Sequence, residues 1–174
     1  MKHTELRSLG KSFTYAFRGV AYCVKNERNM RIHLAATVLV SYFSYFYGLS
    51  RGEYLVLLLC CGFVIAAEAF NTAIEALVNL ESPAYHHYAR IAKDVAAGAV
   101  FVAALTAAIA GAVLFFQPER LWKTLLVIFQ SPLTGAVFLI LVGLGLLFIF
   151  NGSRLTSDRP PRDDEPLNNF DSKH

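Results

Sequence analysis

Hydrophobic residues fall into a few long blocks that short polar stretches separate. The blocks run from about Ile32 to Leu49, Leu55 to Leu80, Val95 to Phe116 and Leu133 to Phe150. About 20 apolar residues in a helix cross the hydrocarbon core of a bilayer, so each block can be a membrane span. The pattern predicts an all-α, polytopic membrane helical bundle. It comprises an N-terminal amphipathic surface helix, three core transmembrane helices and a fourth transmembrane helix at the C-terminal end.

The N-terminal stretch predicts a helix that lies on the membrane surface. From about Leu9 to Asn29, apolar residues recur at steps of three and four, and Lys11, Arg18 and Lys25 recur every seven residues on another face. Such a helix places its apolar face in the bilayer and its basic face against anionic headgroups. Basic residues are concentrated before the first block, and the positive-inside rule then places the N-terminus in the cytoplasm.

These boundaries divide the chain into four segments. Residues 1–30 are the cytoplasmic surface helix and a polar hinge, and residues 31–117 are a three-span core. Residues 118–151 contain a second interfacial segment and the fourth span. Residues 152–174 are rich in Pro, Asp, Asn and Arg, and this composition predicts a disordered polar tail.

Composition and charge narrow the class of protein. The chain of 174 residues is 55% hydrophobic with a formal net charge of +3, which is typical of an integral membrane protein. The basic residues adjoin a membrane segment and no nucleic-acid motif is present, so no nucleic-acid partner is expected. The first thirty residues lack the continuous apolar core of a secretory signal peptide. The three cysteines match no zinc or redox spacing and are expected to be packing residues.

Acidic side chains lie inside the second apolar block. Glu68, Asn71 and Glu75 are spaced so that they share one face of a helix, with Glu68 roughly 10 Å deeper than Glu75. An acid at the centre of a membrane helix costs about 2.5 kcal/mol or more. Two acids on one face therefore predict either a functional polar site or a buried pair that only fixes helix packing.

The predicted topology brings further polar residues to the same membrane surface. Glu27 in the hinge and Lys93-Asp94 at the start of the third span converge there with Glu75, above Glu68. Carboxylate oxygens suit Mg²⁺, and a lysine at a helix N-terminus suits phosphate. Two simpler alternatives remain open: a lysine that extends to the lipid headgroups, and an ion pair between Glu27 and Arg31.

This arrangement permits phosphoryl transfer at the membrane surface. A lipid alcohol that arrives from the bilayer meets the deep carboxylate first, whereas a nucleotide from the cytoplasm meets the shallow acids and the lysine first. A carboxylate partly withdrawn from water can take the proton of an alcohol. No GxxxxGK[ST] loop and no protein-kinase glycine-rich loop is present, so the nucleotide site must be built differently.

Three segments resemble the prokaryotic diacylglycerol kinase/undecaprenol kinase family: residues 25–33, 67–75 and 92–100. The motif Glu-x-x-Asn-Thr-Ala-Ile-Glu and the later Ala-Lys-Asp are specific in combination, and the resemblance covers about residues 9 to 116. It implies an Mg²⁺- and ATP-dependent lipid kinase in the bacterial cytoplasmic membrane, assembled as a homotrimer with active sites between neighbouring subunits.

The resemblance also assigns residue roles. Glu68 resembles the family's catalytic proton acceptor, Glu27 and Glu75 its metal-binding pair, and Asn71 a residue that orients the site. The implied ATP-binding positions are Tyr15, Glu27, Glu75, Ala84, Tyr85, His86, Lys93 and Asp94, and the positions that border the lipid entry are Arg18 and Gly19.

The chain departs from the family pattern in two places. Asn79 stands where many members carry an aspartate, and residues 118–174 have no counterpart in short members. The hinge sequence favours the undecaprenol branch over the diacylglycerol branch. The hypothesis from the sequence is ATP-dependent phosphorylation of undecaprenol or diacylglycerol, and the alternative is a non-enzymatic lipid-binding or ion-conducting membrane protein.

Overall fold

The structure, a computed structural model, describes the backbone of residues 2–81 and 87–151 and the side chains of residues 10–80 and 87–151. The described chain is helical throughout apart from short connections, so the all-α fold class is confirmed. The predicted contacts at Ala84, Tyr85 and His86 and the predicted disorder of residues 152–174 lie outside the described residues. The helices are α1 (Lys2–Asn26), α2 (Arg28–Tyr47), α3 (Arg51–Glu81), α4 (His87–Phe115), α5 (Pro118–Gln130) and α6 (Pro132–Asn151).

Among the described residues, three helices are long and apolar enough to cross a membrane: α3, α4 and α6. This confirms a polytopic membrane bundle and includes the C-terminal helix. Helix α2 contains the first predicted span and has 20 residues, but serine, threonine and tyrosine make it less apolar. It lies beside α3 along most of its length, and its role as a span stays a prediction.

The surface helix is longer than the hydrophobic pattern predicts. It begins at Lys2 and ends at Asn26, where Glu27 adopts extended backbone with φ −102° and ψ 122° and starts α2. The hinge is therefore a single residue rather than a polar stretch. Residues 10–22 are all exposed and Cys23 is the first buried position, so the described side chains of α1 pack on the rest of the chain only near its C-terminal end.

A tight turn joins α2 to α3. Gly48 has φ 71°, a left-handed conformation that glycine adopts without strain, and its N–H donates to the Ser44 carbonyl at 3.1 Å. Ser50 and Glu53 then form a reciprocal cap: the Ser50 N–H donates to Glu53 Oε2 at 2.6 Å and the Glu53 N–H donates to Ser50 Oγ at 3.4 Å. The Tyr54 hydroxyl donates to the Ser44 carbonyl at 2.9 Å, which fixes α2 and α3 as antiparallel neighbours.

Helices α3 and α4 form the most extensive helix pair. The face of α4 that is buried carries Ala96, Val100 and Ala103, whose small side chains let the two backbones approach. At the far end of the bundle, Phe115 packs edge-on against Phe43 and Tyr47 of α2, with ring centroids 5.6 and 5.0 Å apart.

The C-terminal helices attach to α2. Both begin with proline at the first helical position, where no N–H is needed. The Tyr42 hydroxyl donates to the Thr134 carbonyl at 2.8 Å, and a Cβ built on Gly145 would lie 3.5 Å from Cβ of Ala35. Helix α6 is therefore antiparallel to α2, and it ends on the side of the bundle where α2 begins.

Candidate active site

Glu68 is the buried centre of the candidate site. It lies in the middle of α3 with 1% of its surface exposed. Within the described part of the chain, neither of its carboxylate oxygens has a hydrogen-bond partner. The amide of Asn29 approaches the carboxylate without hydrogen-bond geometry. A buried carboxylate without hydrogen-bond partners costs folding free energy, and a catalytic role is one reason for a protein to retain such a group.

Asn71 and Glu75 occupy the next two turns of the same helix. The Asn71 Nδ2 donates to Glu75 Oε1 at 3.0 Å, and Asn71 is 6% exposed. This bond fixes the orientation of the Glu75 carboxylate. The Oδ1 of Asn71 has no hydrogen-bond partner among the described residues, so the amide retains an acceptor within the site. The predicted shared face is confirmed for Asn71 and Glu75.

Glu27 joins these residues from the start of α2. It is half-buried at the N-cap position and makes no side-chain capping bond. Burial raises the pKa of Glu27, the Glu75 carboxylate raises it further, and Arg31 offsets part of that rise. Glu27, Glu68 and Glu75 are close enough to repel one another electrostatically, and we call them the acidic cluster.

Arg31 does not form the ion pair with Glu27 that the spacing suggested. It is 4% exposed, and its Nη1 donates to the Val24 and Lys25 carbonyls, each at 3.0 Å. Those carbonyls belong to the last turn of α1, where no following helical turn supplies N–H groups to donate to them. Arg31 therefore fixes the surface helix to α2. This role of Arg31 was not predicted, because its only signal in the sequence is a cation shortly beyond the end of α1.

Lys93 and Asp94 lie about two turns into α4, which begins at His87, so the prediction of a lysine at a helix N-terminus is wrong. The two side chains also separate in the structure. Lys93 Nζ donates to Asn79 Oδ1 at 2.7 Å, which places the ammonium one turn beyond Glu75 on α3. Asp94 instead lies 3.8 Å from Arg90 on its own helix, and both side chains are largely exposed. Asn79 thus supplies a neutral acceptor for Lys93 where an aspartate would supply a charge.

The surface-helix residues are not brought to the acidic cluster within one chain. Tyr15 is 64% exposed, and Arg18 and Gly19 are also exposed, with no atom near a Cβ built on Gly19. All three lie on the part of α1 that extends away from the bundle. Their predicted contacts with nucleotide or lipid therefore need either a neighbouring subunit or the bound substrates.

The acidic cluster is suited to one particular kind of metal ion. No group of three His, Cys, Asp or Glu side chains in the described residues could enclose a metal. Mg²⁺ does not need such a cage, because it binds through one or two carboxylates and completes its shell with water and substrate phosphates. Glu27 and Glu75 can supply the two carboxylates, and a cation between them would relieve their repulsion.

Comparisons with known proteins point to one family. The model of the family described as prokaryotic diacylglycerol kinase matches residues 14–115. An undecaprenol kinase of Bacillus subtilis (strain 168) is 39% identical over 111 residues, which are 64% of this chain and 90% of that protein. A diacylglycerol kinase of Synechocystis sp. is 42% identical over 108 residues, which are 62% of each chain.

A more distant relative covers the same region. A diacylglycerol kinase of Haemophilus influenzae is 28% identical over 116 residues, which are 66% of this chain and 98% of that protein. No solved structure matches the chain. The matched region contains every described residue assigned to the site, whereas α5 and α6 lie beyond the family match.

Proposed function

This chain belongs to the prokaryotic diacylglycerol kinase family and is a lipid kinase, and from that premise we propose the reaction and the residues that perform it. The γ-phosphoryl group of ATP passes to the hydroxyl of a membrane lipid alcohol, undecaprenol or diacylglycerol. The names of the relatives support these two substrates. The non-enzymatic alternative is set aside because the relatives are named as kinases.

The observation that carries the proposal is the state of Glu68. A carboxylate that is 1% exposed and has no hydrogen-bond partner in the described chain is a ready acceptor for the proton of an alcohol. It lies deeper in α3 than Glu75, on the side from which a lipid hydroxyl would arrive. No other acid of the described residues combines this burial with two unpaired oxygens.

The reaction balances through Glu68. The lipid hydroxyl gives its proton to a carboxylate oxygen of Glu68 as its own oxygen forms a bond to the γ-phosphorus. The bond between that phosphorus and the β–γ bridging oxygen breaks, and ADP leaves. Asn71 holds Glu75 in place through its 3.0 Å hydrogen bond and presents its free Oδ1 to the reacting groups.

The remaining polar residues bind the nucleotide. Glu27 and Glu75 would hold Mg²⁺, which offsets the negative charge of the phosphates when bound. Lys93 lies beyond Glu75 on the cytoplasmic side and places its ammonium on the phosphates. Asp94 and, from the surface helix, Tyr15 complete the nucleotide contacts, while Arg18 and Gly19 border the lipid entry.

The assembly and orientation belong to the same proposal. With the N-terminus in the cytoplasm of a bacterial cell, α2, α3, α4 and α6 cross the inner membrane alternately, and the acidic cluster faces the nucleotide. Three copies form a homotrimer whose sites combine the bundle of one subunit with the surface helix of another. The exposure of Tyr15 and Arg18 in one chain supports this arrangement.

A radiolabel assay tests the reaction. The full chain in mixed micelles is given γ-labelled ATP, Mg²⁺ and either undecaprenol or diacylglycerol, and the product is identified by thin-layer chromatography. We expect a labelled lipid phosphate, and Glu68→Gln is expected to lower its rate about 10²-fold or more. Nucleotide binding should persist in that variant, because the amide keeps the size of the side chain.

Glu119→Gln is the matched control for loss of a carboxylate. Glu119 is exposed in the first turn of α5, at the other end of the bundle, and its removal should leave the rate unchanged. A Glu68→Gln protein that labels lipid at the native rate would rule out the proposed base. Failure of the native chain to label either lipid would reject the proposed substrates.

A further inference from the structure

Helix α6 makes contacts with α2 at three levels along its length. At its start, the Phe138 ring stacks on Tyr42 with centroids 6.0 Å apart. In the middle, Gly145 lets the helix backbone approach Ala35. At its end, Phe150 lies under Arg28. Because α6 lies outside the family match at residues 14–115, these contacts are a property of this chain's extension.

The last contact lies beside the proposed metal ligands. Arg28 is the first residue of α2 and follows Glu27 directly. Its guanidinium carbon lies 5.3 Å from the centre of the Phe150 ring, which is a cation–π contact. Within the described residues, Arg28 forms no ion pair with any acid of the acidic cluster.

The position of the Arg28 guanidinium on the Phe150 ring matters because a guanidinium and a divalent cation compete for carboxylate oxygens. Arginine pairs with carboxylates through two parallel hydrogen bonds, and its side chain is long and flexible. Glu27 and Arg28 are adjacent at a hinge whose backbone is extended, so a released Arg28 could turn toward Glu27. An ion pair there would occupy the oxygens that the metal requires.

We propose that Phe150 is a positioning residue that holds the Arg28 cation away from the acidic cluster and so leaves Glu27 and Glu75 available to the divalent cation of the nucleotide. This inference rests on the proposed function, because it assumes that these two carboxylates bind metal. It assigns to the C-terminal extension a direct effect on the site, although no residue of α6 touches substrate.

The first test compares Phe150 variants by their Mg²⁺ requirement. Phe150→Leu keeps an apolar side chain but removes the ring, and we expect the Mg²⁺ concentration for half-maximal activity to rise roughly two- to fivefold. The rate at saturating Mg²⁺ should stay near native, since metal displaces the arginine. Phe150→Trp keeps a ring and should retain the native requirement. Phe148→Leu, on the same helix, is the control.

The second test asks whether Arg28 is the cause. In the double variant Phe150→Leu with Arg28→Gln, the competing cation is gone, and the Mg²⁺ requirement should return to the native value. A general loosening of the α2–α6 contact would instead leave the requirement raised or raise it further. No rescue by Arg28→Gln, or a raised requirement from Arg28→Gln alone, overturns the proposal.

Direct metal binding gives a readout that is independent of turnover. Mn²⁺ is titrated into the full chain in micelles with a non-hydrolysable ATP analogue, and free Mn²⁺ is measured by electron paramagnetic resonance. We expect weaker binding in Phe150→Leu and native binding in the double variant. Equal Mn²⁺ affinity of the native and Phe150→Leu proteins overturns this inference alone, whereas absence of lipid phosphorylation by the native chain rejects the proposed function.

Discussion

Glu27 links protonation to metal binding at the scale of a single residue. Burial and the neighbouring Glu75 raise its pKa, so the folded protein holds this proton more tightly than the unfolded chain does. The free energy of unfolding therefore gains a contribution at low pH that is lost as the pH rises through the raised pKa. Above the raised pKa the carboxylate of Glu27 is charged and repelled by Glu75, which is the state that a cation would stabilise.

We therefore predict that Mg²⁺ raises the thermal stability of the native chain more at neutral pH than at a pH below the ordinary pKa of glutamate. In Glu27→Gln the increase should be smaller and should depend less on pH, because only Glu75 and Glu68 remain. Thermal unfolding in micelles, with and without Mg²⁺, measures both effects. An equal Mg²⁺ effect in native and Glu27→Gln proteins at neutral pH would exclude Glu27 as a metal ligand.

Lys93 depends on Asn79 for its position. Asn79→Ala removes the acceptor at 2.7 Å and lets the ammonium move toward solvent or headgroups. We predict that the KM for ATP rises up to about tenfold and that kcat changes less, because the variant loses one hydrogen bond to a charged group. Asn79→Asp keeps an acceptor and should stay near the native KM. A native KM in Asn79→Ala would show that Asn79 does not position Lys93.

At the scale of the element, α2 is held at both ends by arginines that donate to main-chain carbonyls. Arg31 connects its start to the last turn of α1. Arg120 of α5 connects its end: Nε donates to the Tyr47 carbonyl at 2.9 Å, Nη2 donates to the Gly48 carbonyl, and the guanidinium lies 4.4 Å above the Tyr47 ring. These carbonyls have no partner within a helix, and a cation there also suits the negative end of α2.

This contact predicts that Arg120→Met destabilises the bundle by about 1–3 kcal/mol, because it leaves helix-end carbonyls without donors while it keeps the side-chain volume. Thermal unfolding of the full chain in micelles measures the loss. Lys123→Met is the matched control, since Lys123 is an exposed cation one turn along the same helix. Equal unfolding temperatures for the two variants would mean that the hydrogen bonds of Arg120 to the end of α2 contribute no stability.

At the scale of the whole molecule, the site is divided. The acidic cluster and Lys93 come together within one chain, whereas Tyr15 and Arg18 remain exposed on α1. If neighbouring subunits complete each other's sites, two inactive variants with defects in different parts should restore activity when they assemble together. If each chain acts alone, mixed assemblies should remain inactive.

We predict such restoration between Glu68→Gln and the double variant Tyr15→Ala with Arg18→Ala. In a symmetric trimer that contains both variants, about one site in three would combine an intact acidic cluster with an intact surface helix. The two proteins, with different tags, are co-expressed, and doubly tagged assemblies are assayed for lipid phosphorylation. Activity no higher than that of either variant alone would reject shared sites.

The sequence was sufficient for much of the fold for a simple physical reason. In hydrocarbon every backbone polar group must bond internally, so long apolar blocks can only be helices, and the blocks that contain α3, α4 and α6 were identified from the sequence. Acids inside such a block are costly and therefore rare. Glu68 and Glu75, with Asn71 between them on the same helix face, could for that reason be identified from their spacing alone.

The tertiary structure decided which partners these side chains bind, because the contacts join residues that are distant in the chain or lie at different helix ends. No local pattern indicates that Arg31 would bond the end of α1 rather than Glu27, that Lys93 would select Asn79, or that α6 would place Phe150 under Arg28. Periodicity fixes which face of a helix a residue occupies, but only packing fixes which other helix that face meets.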